Sequence, residues 1–205
     1  MKSKRFEAIV DIGNIEAGHQ PGHSHADTFT YELRVDGKPF IVDTGISTYN
    51  KSNRRQYERS TKAHNTVVVY GKDSSRVWGG FRVGKRAKVK VIKDEPNEIM
   101  AMHNAFQKVS NCKRKFCINK FGFTIEDMLS DGVKGISYLH LAPGIEPYFS
   151  DDNNITTDEL LIELDGCDKV ESIDDISSKE YNKPESIKVL ALHFTGKIRY
   201  TFIES

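Results

Sequence analysis

The sequence predicts an all-β fold, an antiparallel sandwich of many short strands with at most one or two short helices. Three observations predict this fold class. Short runs of β-branched and aromatic residues recur along the 205 residues, and turn-forming pairs such as Asp36-Gly37 separate them. No run shows the periodicity of a long amphipathic helix. The length fits one domain spanning residues 1–205.

The start of the chain is expected to form a strand followed by a hairpin. Residues 6–12 form a first strand-like run, and residues 28–35 alternate strictly between apolar and polar side chains, as in a half-buried strand. Asp36-Gly37 is a strong signal for a two-residue turn, and residues 38–42 form the returning strand. The hairpin therefore brings Asp43 back to about the level of position 30.

Residues 47–62 are polar and lack alternation, which leaves open either a short helix or an ordered loop. A β-branched run at 65–70 places His64 at the start of a strand. Two segments rich in Asp, Asn, Ser and Lys, 151–158 and 168–184, are expected to be surface loops. The remaining strands are expected at 87–93, 98–106, 113–119, 123–129, 136–141, 160–164, 188–194 and 197–203.

Composition excludes several classes of protein. No apolar run approaches the length of a membrane span, and the odd number of cysteines without a CxxC pair indicates free thiols. No phosphate-binding loop, nucleophile elbow or nucleic-acid motif is present. Residues 51–120 carry eighteen basic against five acidic residues, whereas residues 126–185 carry four against sixteen. The basic half is suited to attract a polyanion, although solvated strand faces would give the same asymmetry.

Histidine and aspartate side chains gather at strand ends. In an extended chain His23, His25 and Asp27 would point to one side. His25, Asp43 and His64 together supply the nitrogen and carboxylate ligands that zinc accepts, and Asp27 or Asp11 could orient a histidine through its second nitrogen. The alternative is a set of hydrogen-bonded histidines that hold no metal.

Three segments in combination resemble the C-terminal domain of the heparinase II/III-type polysaccharide lyases. They are Gly22-His23-Ser24-His25-Ala26-Asp27, Asp43-Thr44-Gly45 and the run from Arg59 to Val67 (RSTKAHNTV). The similarity is clearest from Asp11 to Lys88, a little under half of the chain.

The resemblance implies a C-terminal antiparallel super-β-sandwich joined to an N-terminal α/α toroid. It implies β-elimination on uronic-acid polysaccharides such as heparan sulfate or alginate, and hence a carbon–oxygen lyase. The family's metal, usually zinc, has ligands that fall on His25, Asp43 and His64, where we expect a structural divalent ion. His23 matches a residue that faces the substrate, and Tyr49 lies near the position of an active-site tyrosine in some members.

Basic side chains near this motif are candidates for substrate binding. Arg54, Arg55 and Arg59 are suited to hold carboxylates or sulfates in a bidentate manner, and His19 lies in the loop just before the motif. The expected partners are an acidic polysaccharide or oligosaccharide and the toroid, with no nucleic acid and no membrane span. The resemblance favours a periplasmic or secreted location, although the first ten residues do not form a signal-peptide core.

The sequence contains no helical toroid, which in this family supplies the main catalytic tyrosine. We therefore expect an excised domain of a longer protein or a relative consisting of the sandwich only, with little or no lyase activity by itself. A non-catalytic carbohydrate-binding or scaffolding module is the rival interpretation. A cupin-like metal domain is a third, but it would need a glutamate ligand, and the nearby Glu32 lies in an alternating strand.

Overall fold

The computed structural model describes residues 1–15, 19, 21–150 and 154–204, and it consists mainly of antiparallel strands. The all-β prediction is confirmed. One short helix, α1, spans Asn53–Glu58, and a 3-10 turn spans Thr61–Ala63. The strands, numbered β1 to β15 in chain order, are Phe6–Val10, Tyr31–Val35, Lys38–Ile41, Val67–Val69, Val77–Trp78, Arg82–Val83, Val89–Glu95, Glu98–His103, Cys112–Ile118, Gly122–Met128, Lys134–His140, Tyr148–Phe149, Ile155–Thr156, Leu160–Glu180 and Lys183–Glu204.

A three-stranded sheet in the order β1-β2-β3 carries the start of the chain. Asp36 and Gly37 both have positive φ, 48° and 80°, as the turn of a tight hairpin requires. Along β2, alternate side chains are buried and exposed, so the hairpin is confirmed and the half-buried strand is confirmed from Tyr31 on, whereas Thr28 and Phe29 form a turn. The Asn65 amide donates to both Tyr31 O and Val42 O, which shows that the two arms of the hairpin lie side by side.

A ten-stranded sheet forms the larger layer. Its main path runs β12-β13-β14-β15-β10-β9-β8-β7, and β11 pairs with β15 on one side and β4 on the other. Strands β5 and β6 form a separate pair. The core lies between the layers, where Tyr31 of β2 contacts the rings of Phe116 and Phe123, at centroid distances of 5.9 and 5.8 Å. Burial of these aromatic side chains is the main source of stability for such a sandwich.

The expectation of a loop at 168–184 is wrong. Strands β14 and β15 are 21 and 22 residues long and pair from Leu160↔Glu204 to Glu180↔Lys183, so this segment is a hairpin. In β14, residues 163–176 are exposed or half-buried, whereas Ser177 and Ser178 near the tip of the hairpin are buried. Because residues 163–176 present no buried face, they show no apolar alternation, and their polar composition suggested a loop.

The open question at 47–62 is resolved in favour of a short helix. Ser52 caps α1, because its hydroxyl accepts a hydrogen bond from Arg55 N at 3.1 Å. The expected loop at 151–158 includes the short strand β13, and residues 151–153 lie outside the described part of the chain. All three cysteines are free thiols, as expected.

Candidate active site

The segment from Gly22 to Asp27 turns before it enters the small sheet. Gly22 and His23 lie in a turn in which Ser24 N donates to Pro21 O at 3.1 Å, so the segment is not extended. As a result the two histidines differ in their surroundings. His23 is exposed, whereas His25 retains only 7% of its accessible surface.

Arg59 fixes the backbone of this segment. Its guanidinium donates to Ser24 O through Nη2 at 2.9 Å and Nε at 3.3 Å, and its own carbonyl accepts a hydrogen bond from Ala26 N at 3.0 Å. Ser24 lies between the two histidines, so Arg59 sets the position of both. Its side chain is fully buried, and its predicted contact with substrate stays a prediction.

Asp43 and His64 form a close pair, in which His64 is buried and Asp43 is half-buried. Asp43 follows β3 and His64 precedes β4, and their Oδ2 and Nδ1 atoms lie 2.6 Å apart. Burial alone would raise the pKa of Asp43, but His64 and a hydrogen bond from Gly45 N lower it to about 2. Burial would likewise lower the pKa of His64, yet the Asp43 carboxylate raises it. The pair is therefore charge-assisted.

His25 completes the cluster from the opposite side. Its ring centroid lies 5.2 Å from that of His64. Burial, reinforced by the charges of His64 and Arg55, lowers the pKa of His25 to about 3, so this imidazole is neutral near pH 7. His25 Nε2 lies 3.4 Å from Arg55 Nη1, and because arginine only donates, this nitrogen acts as the acceptor.

The structure thus brings together the three side chains predicted to hold a metal. Their donor types suit zinc, and His64 Nε2 is buried without a hydrogen-bond partner among the described residues. As placed, however, no group of three His, Cys, Asp or Glu side chains in the described ranges could hold a metal ion. The metal therefore stays a prediction.

The two residues predicted to be catalytic lie next to each other. The rings of His23 and Tyr49 are in edge-to-face contact, with centroids 6.1 Å apart, and both residues are exposed. The Arg55 guanidinium lies over the Tyr49 ring, 5.2 Å from its centroid. His23 and Tyr49 therefore form an outward-facing pair with a buried cation beneath it.

The other predicted substrate ligands are dispersed. Arg54 is held by ion pairs with Glu58 at 2.9 Å and Asp175 at 2.8 Å, and it donates to Ile176 O at 2.8 Å. This places its guanidinium on the long hairpin rather than beside His23. His19 is exposed. Their contact with substrate stays a prediction.

A cleft of 780 Å³ opens on the other side of the histidine cluster. Its charged lining is mainly acidic and includes Asp11, Asp27, Glu32 and Asp43. Burial raises the pKa of Asp27 to about 6. Such a lining would repel an acidic glycan. The surface carrying His23 and Tyr49 therefore suits an anionic ligand better than this larger cleft does.

Sequence reasoning missed the buried network that supports the site. Arg114 of β9 and Asp127 of β10 are fully buried and pair at 2.6 and 2.7 Å. Arg114 also donates to Phe29 O and Asn65 O, which follow the His25 and His64 segments, at 2.9 and 2.5 Å. Their positions in the sequence could have indicated this pair, because both charged residues occupy inward-facing places in alternating strands.

Comparisons with known proteins agree with this architecture. A family model described as heparinase II/III-like, C-terminal, matches residues 1–202. A structure of heparinase III with methylated lysines has a TM-score of 0.75 and 17% identity, covering 97% of this chain and 32% of the other. A heparan sulfate lyase HepC mutant from Pedobacter heparinus has a TM-score of 0.74 and 15% identity, covering 97% of this chain and 33% of the other.

A further heparinase III structure gives a TM-score of 0.73 at 14% identity, again with 97% of this chain and 33% of the other covered. At these identities the similarity shows a shared fold. The chain spans about a third of the length of these solved structures. None of the curated proteins compared with it matches significantly. Among the described residues no helix is long and apolar enough to cross a membrane.

Proposed function

We propose that this chain, which belongs to the heparinase II/III-like C-terminal family, forms one side of the active site of a polysaccharide lyase. The substrate is an acidic glycan that contains uronic acid, and the reaction is β-elimination. The observation that carries the proposal is the placement of His23 and Tyr49. They form an exposed pair beside the cluster of His25, Asp43 and His64.

The chemistry requires a base, an acid and neutralisation of the uronate carboxylate. A base removes the proton from C5, the electron pair forms the C4–C5 double bond, the C4–O bond breaks, and an acid protonates the leaving oxygen. C5–H becomes acidic enough only when hydrogen bonds or positive charge stabilise the developing negative charge on the carboxylate. His23 is suited to neutralise the carboxylate or to transfer a proton, and Tyr49 to transfer a proton.

The remaining groups belong to a partner domain. We propose that an N-terminal α/α toroid in a longer protein faces this surface and supplies the other catalytic groups. The chain spans about a third of the solved relatives, which leaves length for such a domain. We therefore expect little or no lyase activity from residues 1–205 alone.

The test measures ultraviolet absorbance of the unsaturated uronate product, for this chain and for the longer protein. We expect product only from the longer protein. Rapid product formation by residues 1–205 alone would contradict the division of the site between two domains. In the longer protein, His23→Ala should lower kcat by about a hundredfold or more, as expected for loss of a group in acid–base catalysis. The matched control is His193→Ala, because His193 lies in β15 away from this surface.

We further propose a structural divalent metal, zinc, held by His25, Asp43 and His64. Its role would be to fix the segment that carries His23. Elemental analysis of the purified chain, with His25→Ala as the control, tests this independently of activity. We expect metal in the unaltered chain, a loss of metal in the variant, and a lower melting temperature after chelation. An unaltered chain that contains no metal would remove the structural role.

The second candidate is a carbohydrate-binding or scaffolding module that performs no chemistry. The exposed aromatic rings next to His23 would serve that function equally well. A longer protein that binds an acidic glycan but forms no unsaturated product, with or without His23→Ala, would favour this candidate.

A further inference from the structure

We propose that Tyr181, Tyr49 and Phe81 form an aromatic strip on which pyranose rings of the glycan stack beside His23. This inference rests on the proposed function, because it identifies where the same glycan lies on the sandwich. It adds a contribution from the last third of the chain. The turn that carries Tyr181 lies at the tip of the β14–β15 hairpin.

The three rings of the aromatic strip are close in space and open to solvent. Tyr49 lies 5.8 Å from Tyr181 and 6.2 Å from Phe81 between ring centroids, with interplanar angles of 21° and 5°. Centroid distances of this size between near-parallel rings mean that the rings are offset rather than superposed. The residues accordingly remain 61%, 39% and 45% exposed for Tyr181, Tyr49 and Phe81. The rings therefore offer a stepped apolar surface.

The hairpin is docked against the site by specific contacts. Ser178 N donates at 2.7 Å to the carbonyl oxygen of Thr44, the residue that directly follows Asp43. Gly45 has φ +68°, and a Cβ at this position would overlap the carbonyl oxygen of Ser178, so only glycine allows this approach. Asp175 accepts hydrogen bonds from Arg54 and from the Tyr57 hydroxyl. These contacts hold the tip of the hairpin, and with it Tyr181, beside Tyr49.

A buried positive charge lies beneath the aromatic strip. The Arg55 side chain is fully buried and its Cζ lies 5.2 Å from the Tyr49 centroid and 5.8 Å from that of Phe81. Its Nη2 has no hydrogen-bond partner in the described part of the chain, and Glu58 of the same helix pairs with Arg54 instead. Arg55 Nε donates to Gly80 O at 3.3 Å and Nη1 to His25 Nε2 at 3.4 Å, and the Tyr49 and Phe81 rings add cation–π contacts to this charge. The strip thus combines an apolar surface with a positive potential.

This combination favours an acidic sugar chain over a protein surface as the occupant. The axial C–H groups of a pyranose pack on aromatic faces, while carboxylate or sulfate groups at the ring edge gain from Arg55 and His23. A protein-docking patch would be expected to bury aliphatic side chains as well, but the strip consists of aromatic rings only. The chemistry therefore points to an anionic glycan.

The test is the affinity of the chain for a heparan sulfate hexasaccharide and for an alginate hexasaccharide, measured by isothermal titration calorimetry. Tyr181→Ala should weaken binding by about threefold to tenfold, the factor expected for one aromatic stacking contact. Tyr181→Phe should retain the affinity, because stacking needs the ring and not the hydroxyl. Tyr148→Ala is the matched control, since Tyr148 is 56% exposed at a distant edge strand, β12.

Three outcomes overturn the inference: no measurable binding by the unaltered chain, equal affinity of Tyr181→Ala and the unaltered chain, or an equal loss in Tyr148→Ala. Thermal melts confirm that each variant is folded. The result is independent of the lyase assay. A longer protein that forms no unsaturated product refutes the proposed reaction, whereas a Tyr181-dependent affinity would still support the aromatic strip.

Discussion

Asp127→Asn tests whether the buried ion pair supports the whole site. Arg114 and Asp127 are both fully buried, and the carboxylate receives hydrogen bonds of 2.6 and 2.7 Å from Nε and Nη2. The asparagine keeps the shape of the side chain but leaves the Arg114 cation without its countercharge. Breaking a buried pair in this way costs about 3–5 kcal/mol. A typical domain has a free energy of unfolding of roughly 5–15 kcal/mol, so this loss would be a large fraction of the total.

The assay is urea denaturation followed by circular dichroism, with the free energy of unfolding extrapolated to water. Glu126→Gln is the matched control, because Glu126 is the neighbouring residue in β10 and pairs with Lys197 and Arg199 at the surface. Surface pairs contribute about 0–1 kcal/mol. A loss below about 1 kcal/mol for Asp127→Asn would refute the reasoning.

Two further predictions concern the docked hairpin. Gly45→Ala should destabilise the protein by more than about 2 kcal/mol, since a Cβ meets the Ser178 carbonyl and φ is +68°. The control is Gly132→Ala, because Gly132 has φ +75° but an added Cβ would meet no atom within 4 Å. This variant measures the cost of the positive φ alone and should lose only about 1 kcal/mol in the same urea titration. Equal losses would argue against close approach of the hairpin. Burial alone would raise the pKa of Asp175, but hydrogen bonds from Tyr57 and Arg54 lower it below the usual value. The resulting stability is present above the unfolded-state pKa of about 3.9 and is lost as pH falls through the lower folded-state pKa. Melting temperatures between about pH 7 and pH 3 should therefore fall less steeply for Asp175→Asn than for the unaltered chain, and parallel curves would contradict this assignment.

The fold and the candidate site were predictable to different extents. The Asp36-Gly37 turn and the alternation in β2 predicted the β2–β3 hairpin correctly, because one face of β2 is buried and a buried face imposes a period of two. Residues 163–176 of β14 have no such face, so their sequence carries no strand signal. The strands of the β14–β15 hairpin are specified by pairing with each other, which is visible only in the folded chain.

The site shows the same division. The ordered histidine and aspartate motif predicted that His25, Asp43 and His64 would meet, and they do. The turn at Gly22-His23, which separates an exposed His23 from a buried His25, depends on contacts from Arg59 that no local pattern encodes. The arginines predicted to bind substrate because of their charge make structural contacts. A guanidinium has five donors, and these can bond to buried carbonyls as readily as to a ligand.

These contacts imply that the site depends on distant parts of the chain. The residues that the motif predicts to touch substrate lie within the first third of the sequence, but Thr44 and Arg54 bind a hairpin more than one hundred residues later. Arg114 fixes the carbonyls of Phe29 and Asn65 from the centre of the large sheet. A change in the hairpin or in the buried pair should therefore alter ligand affinity without touching ligand. Loss of affinity in Gly45→Ala, with Tyr49 and Tyr181 both intact, would be the direct sign of this dependence.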